Sequence, residues 1–236
     1  MARTLDELLG VQDPAWGEVE SLITGCPHHV EALAPDVSLR EEVLLVMQNS
    51  IGSALGAVIW HTGGIVIDQG WLRVLGCGGP RLSRNVLSWA DHLGWWFDRE
   101  LPPGAPVIAD DVLGGLFALN WGQIDPRIGI NNIFYFAPDR LDWEPLDLGY
   151  SAFLRLVLSD RLAGFYRDHR WDGWESEVSF LAFDRGLSVV PPLWTREGKD
   201  LSLVNRRSVP IREIVEMQFE FRRQLNGGGD DGECEG

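Results

Sequence analysis

The run Val107-Ile108-Ala109-Asp110-Asp111-Val112-Leu113-Gly114-Gly115-Leu116-Phe117-Ala118-Leu119-Asn120 decides the fold class. An apolar strand ends in paired carboxylates, Gly114-Gly115 reverses the chain, and a second apolar strand over residues 116–120 leads back. A third strand, Asn132-Ile133-Phe134-Tyr135-Phe136, runs into Ala137-Pro138-Asp139, and Gly149-Tyr150-Ser151 then opens a helix over residues 151–158. Strands joined by a turn this short must pair antiparallel, because a parallel pair needs a long crossover. The stretch predicts an antiparallel meander closed by a helix. The class is α+β: a largely antiparallel central sheet with helices packed on it.

Toward the N-terminus, residues 55–60 and 65–67 flank Thr62-Gly63-Gly64 and read as a hairpin. Residues 71–75 make a further strand, ended by Gly76-Cys77-Gly78-Gly79-Pro80, and residues 30–33 a short one. Helix signals stand between them. Thr4 with Asp6 and Glu7 opens a short first helix, and Asp13-Pro14 starts one that reaches about residue 24. Ser38 and Glu41 make a capping box for a helix to about residue 48, and Ser83 caps one to about residue 92. Toward the C-terminus, helices are expected at residues 151–158, 160–169 and 172–181, and an extended segment at 187–194. Pro210 starts a last helix to about residue 225, with Ile211, Ile214, Val215, Phe221 and Leu225 on one stripe. Residues 1–225 therefore read as a single domain with a C-terminal helical extension, and the glycine-rich acidic residues 226–236 as a disordered tail.

A chain of 236 residues can bury a large core without staples. Asp6 and Glu7 occupy the place where a signal peptide needs an apolar run. The longest apolar stretch, residues 55–67, is broken by His61, Thr62 and two glycines, so no membrane span is expected. Cys26, Cys77 and Cys234 cannot all pair within one chain and show no Cys-x-x-Cys spacing, which reads as reduced thiols in a cytoplasm. The net charge is −15, from 20 basic and 35 acidic residues. Such a field repels nucleic-acid phosphates and anionic membranes, keeps the chain soluble and favours basic protein partners.

Asp110-Asp111 is the main candidate for chemistry. Two carboxylates at a strand end can bind a divalent cation, or one can act as a general base. Neighbours in a strand point to opposite faces, however, and carboxylates before a Gly-Gly turn commonly accept turn amides. The structural role is the expectation, with no metal and no cofactor. His28, His29, His61, His92 and His169 show no metal-ligand spacing, and Cys26-Pro27-His28-His29 reads as loop packing. Gly76 to Pro80 lacks a dinucleotide fingerprint because Arg81 takes the place of its third glycine. Gly198-Lys199 lacks the upstream glycine of a P-loop. Gly149-Tyr150-Ser151-Ala152-Phe153 ends in phenylalanine and is no nucleophile elbow, which leaves Ser151 as a helix N-cap. Eleven tryptophans are many for this length. Trp95, Trp96, Trp171 and Trp174 lie beside polar helix boundaries and, with Tyr135, are candidate interaction or pocket residues.

The strings Leu5-Asp6-Glu7-Leu8, Gly63-Gly64-Ile65-Val66-Ile67-Asp68, Gly70-Trp71-Leu72-Arg73-Val74-Leu75-Gly76 and Ala109-Asp110-Asp111 carry a resemblance. So do Phe134-Tyr135-Phe136-Ala137-Pro138-Asp139, Trp143-Glu144, Gly149-Tyr150-Ser151, Trp171 with Trp174-Glu175, and Val209-Pro210-Ile211. Over nearly the whole chain they resemble a bacterial domain of unknown function, family number twenty-six twenty-five, which implies no activity. More remotely, the order of elements is similar to the SUKH superfamily, the Syd and yeast cell-wall-regulator homology group. The matching features are Gly63-Gly64 before a strand, the Asp110 turn before Phe117-Ala118-Leu119, the Tyr135 strand, and Ser151-Ala152-Phe153-Leu154. The C-terminal helices and the loop over residues 76–106 depart from that pattern. Many bacterial SUKH proteins are immunity proteins that bind and block a toxin.

The resulting expectation is a non-catalytic cytoplasmic protein-binding module, an immunity protein against a basic toxin. The rivals are a hydrolase acting on a glycan or small metabolite through Asp110 or Asp111, and a small-ligand sensor.

Overall fold

A computed structural model describes residues 2–12, 14–96 and 102–227. Seven strands form one antiparallel sheet in strict chain order: β1 (Val30–Leu33), β2 (Gly64–Ile67), β3 (Leu72–Leu75), β4 (Val107–Asp111), β5 (Leu116–Leu119), β6 (Ile133–Ala137) and β7 (Asp142–Pro145). A second sheet is the hairpin of β8 (Arg185–Val190) and β9 (Asn205–Pro210). The helices are α1 (Leu5–Leu9), α2 (Trp16–Thr24), α3 (Arg40–Met47), α4 (Ala54–His61), α5 (Ser88–Leu93), α6 (Tyr150–Val157), α7 (Arg161–Phe165), α8 (Trp174–Ser179) and α9 (Ile211–Gly227).

Strands β2 to β6 are buried at every position, not at alternate ones. An antiparallel sheet reads this way only when both faces are covered. On one face Phe117 packs against Phe153 of α6 and Phe165 of α7, and α2 and α4 extend that layer. On the other, Phe136 stacks on Phe219 of α9 at 4.6 Å, and Trp89 of α5 is buried. The β8–β9 hairpin joins at the end of β4, where the Leu187 N–H donates to the Val112 carbonyl at 2.7 Å. The α+β class, the antiparallel sheet and the C-terminal helix thus stand as expected from sequence.

Several local expectations fail for identifiable reasons. Residues 55–60 form helix α4, not a strand, so Thr62-Gly63-Gly64 joins helix to strand. Leu55, Gly56, Ala57, Val58 and Ile59 are all buried, and a helix buried all round has no polar face to betray its period. Its start is marked instead by Ser53, whose hydroxyl accepts the Gly56 N–H at 3.1 Å. Ser38 does not cap α3; it bonds Asp36, and Leu39 occupies the cap. The helix expected from Ser83 is only the single short α5. Asp13, expected as an N-cap, lies outside the described residues, and α2 begins after Ala15. Ser151 sits inside α6, with Gly149 at the cap. Strands β7 and β9 have no counterpart in the sequence reading. Asn226 and Gly227 close α9, and the rest of the tail lies outside the described residues.

Candidate functional site

Asp110 and Asp111 end β4, and the pairing register assigns them to opposite faces. Asp110 is the cross-strand partner of Arg73, whereas Asp111 shares the face of Ala109, Phe117 and Tyr135. Both side chains are wholly buried, at 0% exposure.

Asp110 is held by cations. Arg84 approaches it side-on, Nε donating to Oδ2 at 2.9 Å and Nη2 to Oδ1 at 3.0 Å. Arg73 Nη1 donates to Oδ1 at 3.3 Å and Trp89 Nε1 to Oδ2 at 3.1 Å. The two guanidiniums then reach across to the segment entering β8. Arg84 donates to the Phe183 carbonyl at 2.9 Å, and Arg73 donates to that of Arg185. Burial pushes the Arg73 guanidinium down to about 10, against the pull of Asp110, so it stays charged at neutral pH.

Asp111 is held by neutral groups. Its Oδ1 accepts the N–H of Leu113 and of Gly115, each at 2.9 Å, which fixes the turn. Its Oδ2 accepts the hydroxyls of Tyr135 at 2.9 Å and Tyr166 at 3.1 Å. Burial raises the Asp111 carboxyl, and the Gly115 amide and Tyr135 hydroxyl only partly oppose it. Burial, reinforced by the charge of Asp111, drives both phenols well above their ordinary value and keeps them as donors. Nearby, His169 meets Asp139 at 3.6 Å. Burial lowers the imidazole, but Asp139, helped by the charges of Asp111 and Asp168, raises it overall, and His169 in turn lowers Asp139.

The structure separates the aromatic candidates. Trp95 packs on Trp143 and Phe219 on the α9 side, and Trp96 lines a shallow hollow with residues of α3 and α5. Trp171 and Trp174 pack on Trp71 at 5.7 and 5.1 Å, about 100 residues away in sequence from either. All eleven tryptophans are buried or half-buried; of the four candidates Trp171 is buried, and Trp95, Trp96 and Trp174 keep part of their surface exposed. Among the described residues the most exposed large apolar side chains are Phe180, at 87%, and Leu203, at 77%.

Beside Trp171 lies a cleft of about 760 Å³ that the sequence did not reveal. Arg170, Arg196, Lys199 and Arg206 line it together with Asp168 and Asp200. Arg206 lies over the Trp171 ring at 4.2 Å and bonds Glu177, while Arg170 lies over Trp174 at 4.1 Å and bonds Asp68. Arg196 and Lys199 are exposed at its mouth. Sequence reasoning missed Arg73, Arg84 and Tyr166 as well. One signal was present: an arginine in the middle of Trp71-Leu72-Arg73-Val74-Leu75 implies a buried acid opposite.

Among the described residues no three His, Cys, Asp or Glu side chains converge on a point suited to a metal ion. Among the described residues no helix is long and apolar enough to cross a membrane. The chain is 35% identical over 220 residues to the Putative uncharacterized protein YbfG of Escherichia coli (strain K12), covering 93% of this chain and 97% of that protein. It is 33% identical over 224 residues to an Uncharacterized protein of Haemophilus influenzae, covering 95% and 93%. Residues 5–214 match the family described as Protein of unknown function DUF2625. With its sheet and its aspartate pair inside the matched length, and with both of these relatives aligned over more than nine-tenths of the chain, the chain belongs to the DUF2625 family.

Proposed function

We propose that this chain is a non-catalytic protein-binding module of the cytoplasm, an immunity protein that binds and blocks a basic bacterial toxin. One observation carries the non-catalytic half. The two carboxylates best suited to acid–base or metal chemistry are fully buried and each accepts four hydrogen bonds, so neither oxygen pair is open to a substrate.

The partner's chemistry follows from charge. The excess of acidic residues gives a net −15. Many of the arginines are already engaged, with Asp110, Asp68, Glu177, Glu18 and Glu31 among their partners. Exposed acids such as Glu41, Glu42, Glu175 and Glu213 dominate what an approaching protein meets. The likeness to SUKH element order supports the immunity role, and the exposed Phe180 and Leu203 are suitable apolar anchors.

The test is co-expression with toxin domains encoded beside this gene or its relatives. Growth should be rescued, and the purified pair should form a complex whose affinity falls steeply as salt is raised. Toxins that are neither bound nor neutralised would remove the immunity reading. Turnover of any substrate by wild type that disappears in a folded Asp111→Asn variant would remove the non-catalytic one.

A further inference from the structure

The arginine cleft beside Trp171 carries charge that the rest of the molecule leaves unspent. Its volume, about 760 Å³, is within the ordinary span of small-molecule sites. Two segments line it: residues 168–172, between α7 and α8, and residues 196–206, from the β8–β9 connection into β9. Arg206 ties one to the other, its guanidinium lying over the Trp171 ring while Nη1 donates to the Leu201 carbonyl at 2.6 Å. Arg170 and Arg206 are the inner cations, with side chains 12% and 18% exposed. Each is held by an indole and a carboxylate, Trp174 and Asp68 for Arg170, Trp171 and Glu177 for Arg206. Asp68 takes only Nη2 of Arg170, and Arg206 commits Nε and Nη1. Nη1 of Arg170 and Nη2 of Arg206 have no partner, and neither is sealed from solvent. Guanidinium nitrogens positioned in advance in this way suit an oxyanion.

The remaining charges are divided by segment. Asp168 and Asp172 are exposed on the first, and Arg196 and Lys199 on the second. Among the described residues none of these four forms an ion pair, although opposite signs line one cleft. The third acid, Asp200, is spent on the N–H and hydroxyl of Ser202. The unpaired acids and cations thus stand too far apart to meet each other, yet border the same space. A ligand of one sign would be opposed here. An anion meets two free carboxylates and a net charge of −15, and a cation meets four basic groups.

We propose that the cleft binds a small zwitterion, a molecule with a primary ammonium and an oxyanion separated by a few atoms. The oxyanion accepts from the free nitrogens of Arg170 and Arg206 and lies beside Arg196 and Lys199, while the ammonium donates to Asp168 or Asp172. Binding here is separate from the protein-partner reading and does not rest on it.

The experiment titrates the full chain with γ-aminobutyrate and with O-phosphoethanolamine. Butyrate, ethyl phosphate and butylamine are the controls, each lacking one of the two charges. Backbone amide resonances of Asp172, Lys199 and Ser202 are followed. At least one zwitterion should shift all three saturably, and every control should bind about tenfold more weakly or worse. A response to γ-aminobutyrate alone assigns a carboxylate as the oxyanion, and one to O-phosphoethanolamine alone assigns a phosphate ester. Two paired variants then divide the site, Arg196→Gln with Lys199→Gln and Asp168→Asn with Asp172→Asn. All four side chains are exposed, so both variants should keep the wild-type melting temperature. Each should weaken zwitterion binding about tenfold. The singly charged anions should bind the aspartate variant no more weakly than wild type, and the arginine–lysine variant more weakly. No saturable shift with either zwitterion would overturn the proposal. So would a control that binds as tightly as the zwitterions, or a folded paired variant whose binding is undiminished.

Discussion

Asp110 and Asp111 are adjacent, equally buried and equally rich in hydrogen bonds, yet the two faces of the sheet treat them in opposite ways. On the α9 face the charge of Asp110 is met by two guanidiniums, which themselves depend on it to be tolerable in the core. On the α6–α7 face Asp111 meets only amides and phenols, all of which can serve a neutral side chain as well. The glycines of the turn divide in the same way. Gly114 has φ +88°, and a Cβ there would strike Ile214 and Gln218 of α9. Gly115 has no unusual φ, but a Cβ there would lie 2.2 Å from Asp111 Oδ2 and 2.5 Å from the Tyr135 hydroxyl. Identical neighbours in sequence are therefore non-equivalent in energy, because burial and hydrogen-bond number say nothing of whether the partners carry charge.

That contrast can be broken most forcefully at Asp110. Asp110→Asn leaves two buried guanidiniums with no anion and should cost about 3–5 kcal/mol, read from denaturant unfolding. In that background Arg84→Ala should cost much less than in wild type, since the pair acts as a unit. Equal costs in both backgrounds would mean the ion pair is not the organising contact.

Gly115→Val should come next, at about 1–3 kcal/mol from overpacking against Asp111 and Tyr135. Asp111→Asn should be the mild counterpart of Asp110→Asn, losing at most about 1 kcal/mol, because the asparagine oxygen still accepts both turn amides. Its pH signature is distinctive. The Asp111 carboxyl is raised in the folded chain, so its contribution is fully present below about pH 3.8 and lost as pH rises through the folded value. The asparagine variant should lack that loss, and a melt series across the acid range would show it.

The smallest effect expected is at the edge of the Asp111 face. His169 is raised above 6.5 in the folded chain, so its pairing stabilises fully below that pH and fades as pH rises through the folded value. Asp139 is lowered below 3.8, so its contribution is present above that pH and lost as pH falls through its folded value. The pair therefore contributes most between about pH 4 and 6.5. His169→Gln should cost about 0.5–1 kcal/mol at pH 5 and less at pH 8. A loss that grows toward pH 8 would contradict the assigned direction.

The meander could be read directly because its signals are local: Gly114-Gly115 and the apolar runs on either side declare a turn between strands. Helix α4 could not be, since a short segment apolar all round carries no period to distinguish helix from strand. β7 escaped because Asp142, Glu144 and Pro145 are poor strand formers that an outermost strand tolerates. For the site, the local half of Asp111's surroundings, Leu113 and Gly115, follows from a carboxylate preceding a turn. Arg84, Tyr135 and Tyr166 come from 24 to 55 residues away and depend on register and packing. The uncapped start of α6 was hidden for a different reason, a shift of two positions that put Ser151 at the cap in place of Gly149.

The strict chain order of the large sheet has a consequence for synthesis. As the polypeptide leaves the ribosome, each strand from β2 to β7 finds its pairing partner already made, so the sheet can grow from one side without waiting for distant sequence. The arginine pair is the exception. Arg73, Arg84 and Asp110 are all present once β4 has emerged, but the carbonyls of Phe183 and Arg185 that complete both guanidiniums arrive some seventy residues later. A nascent chain at that stage carries a nearly finished sheet whose charged seam lies open on one face. The β8–β9 hairpin then acts as the closing step, and a chain released too early would expose cations as well as apolar surface to the quality-control machinery of its cell.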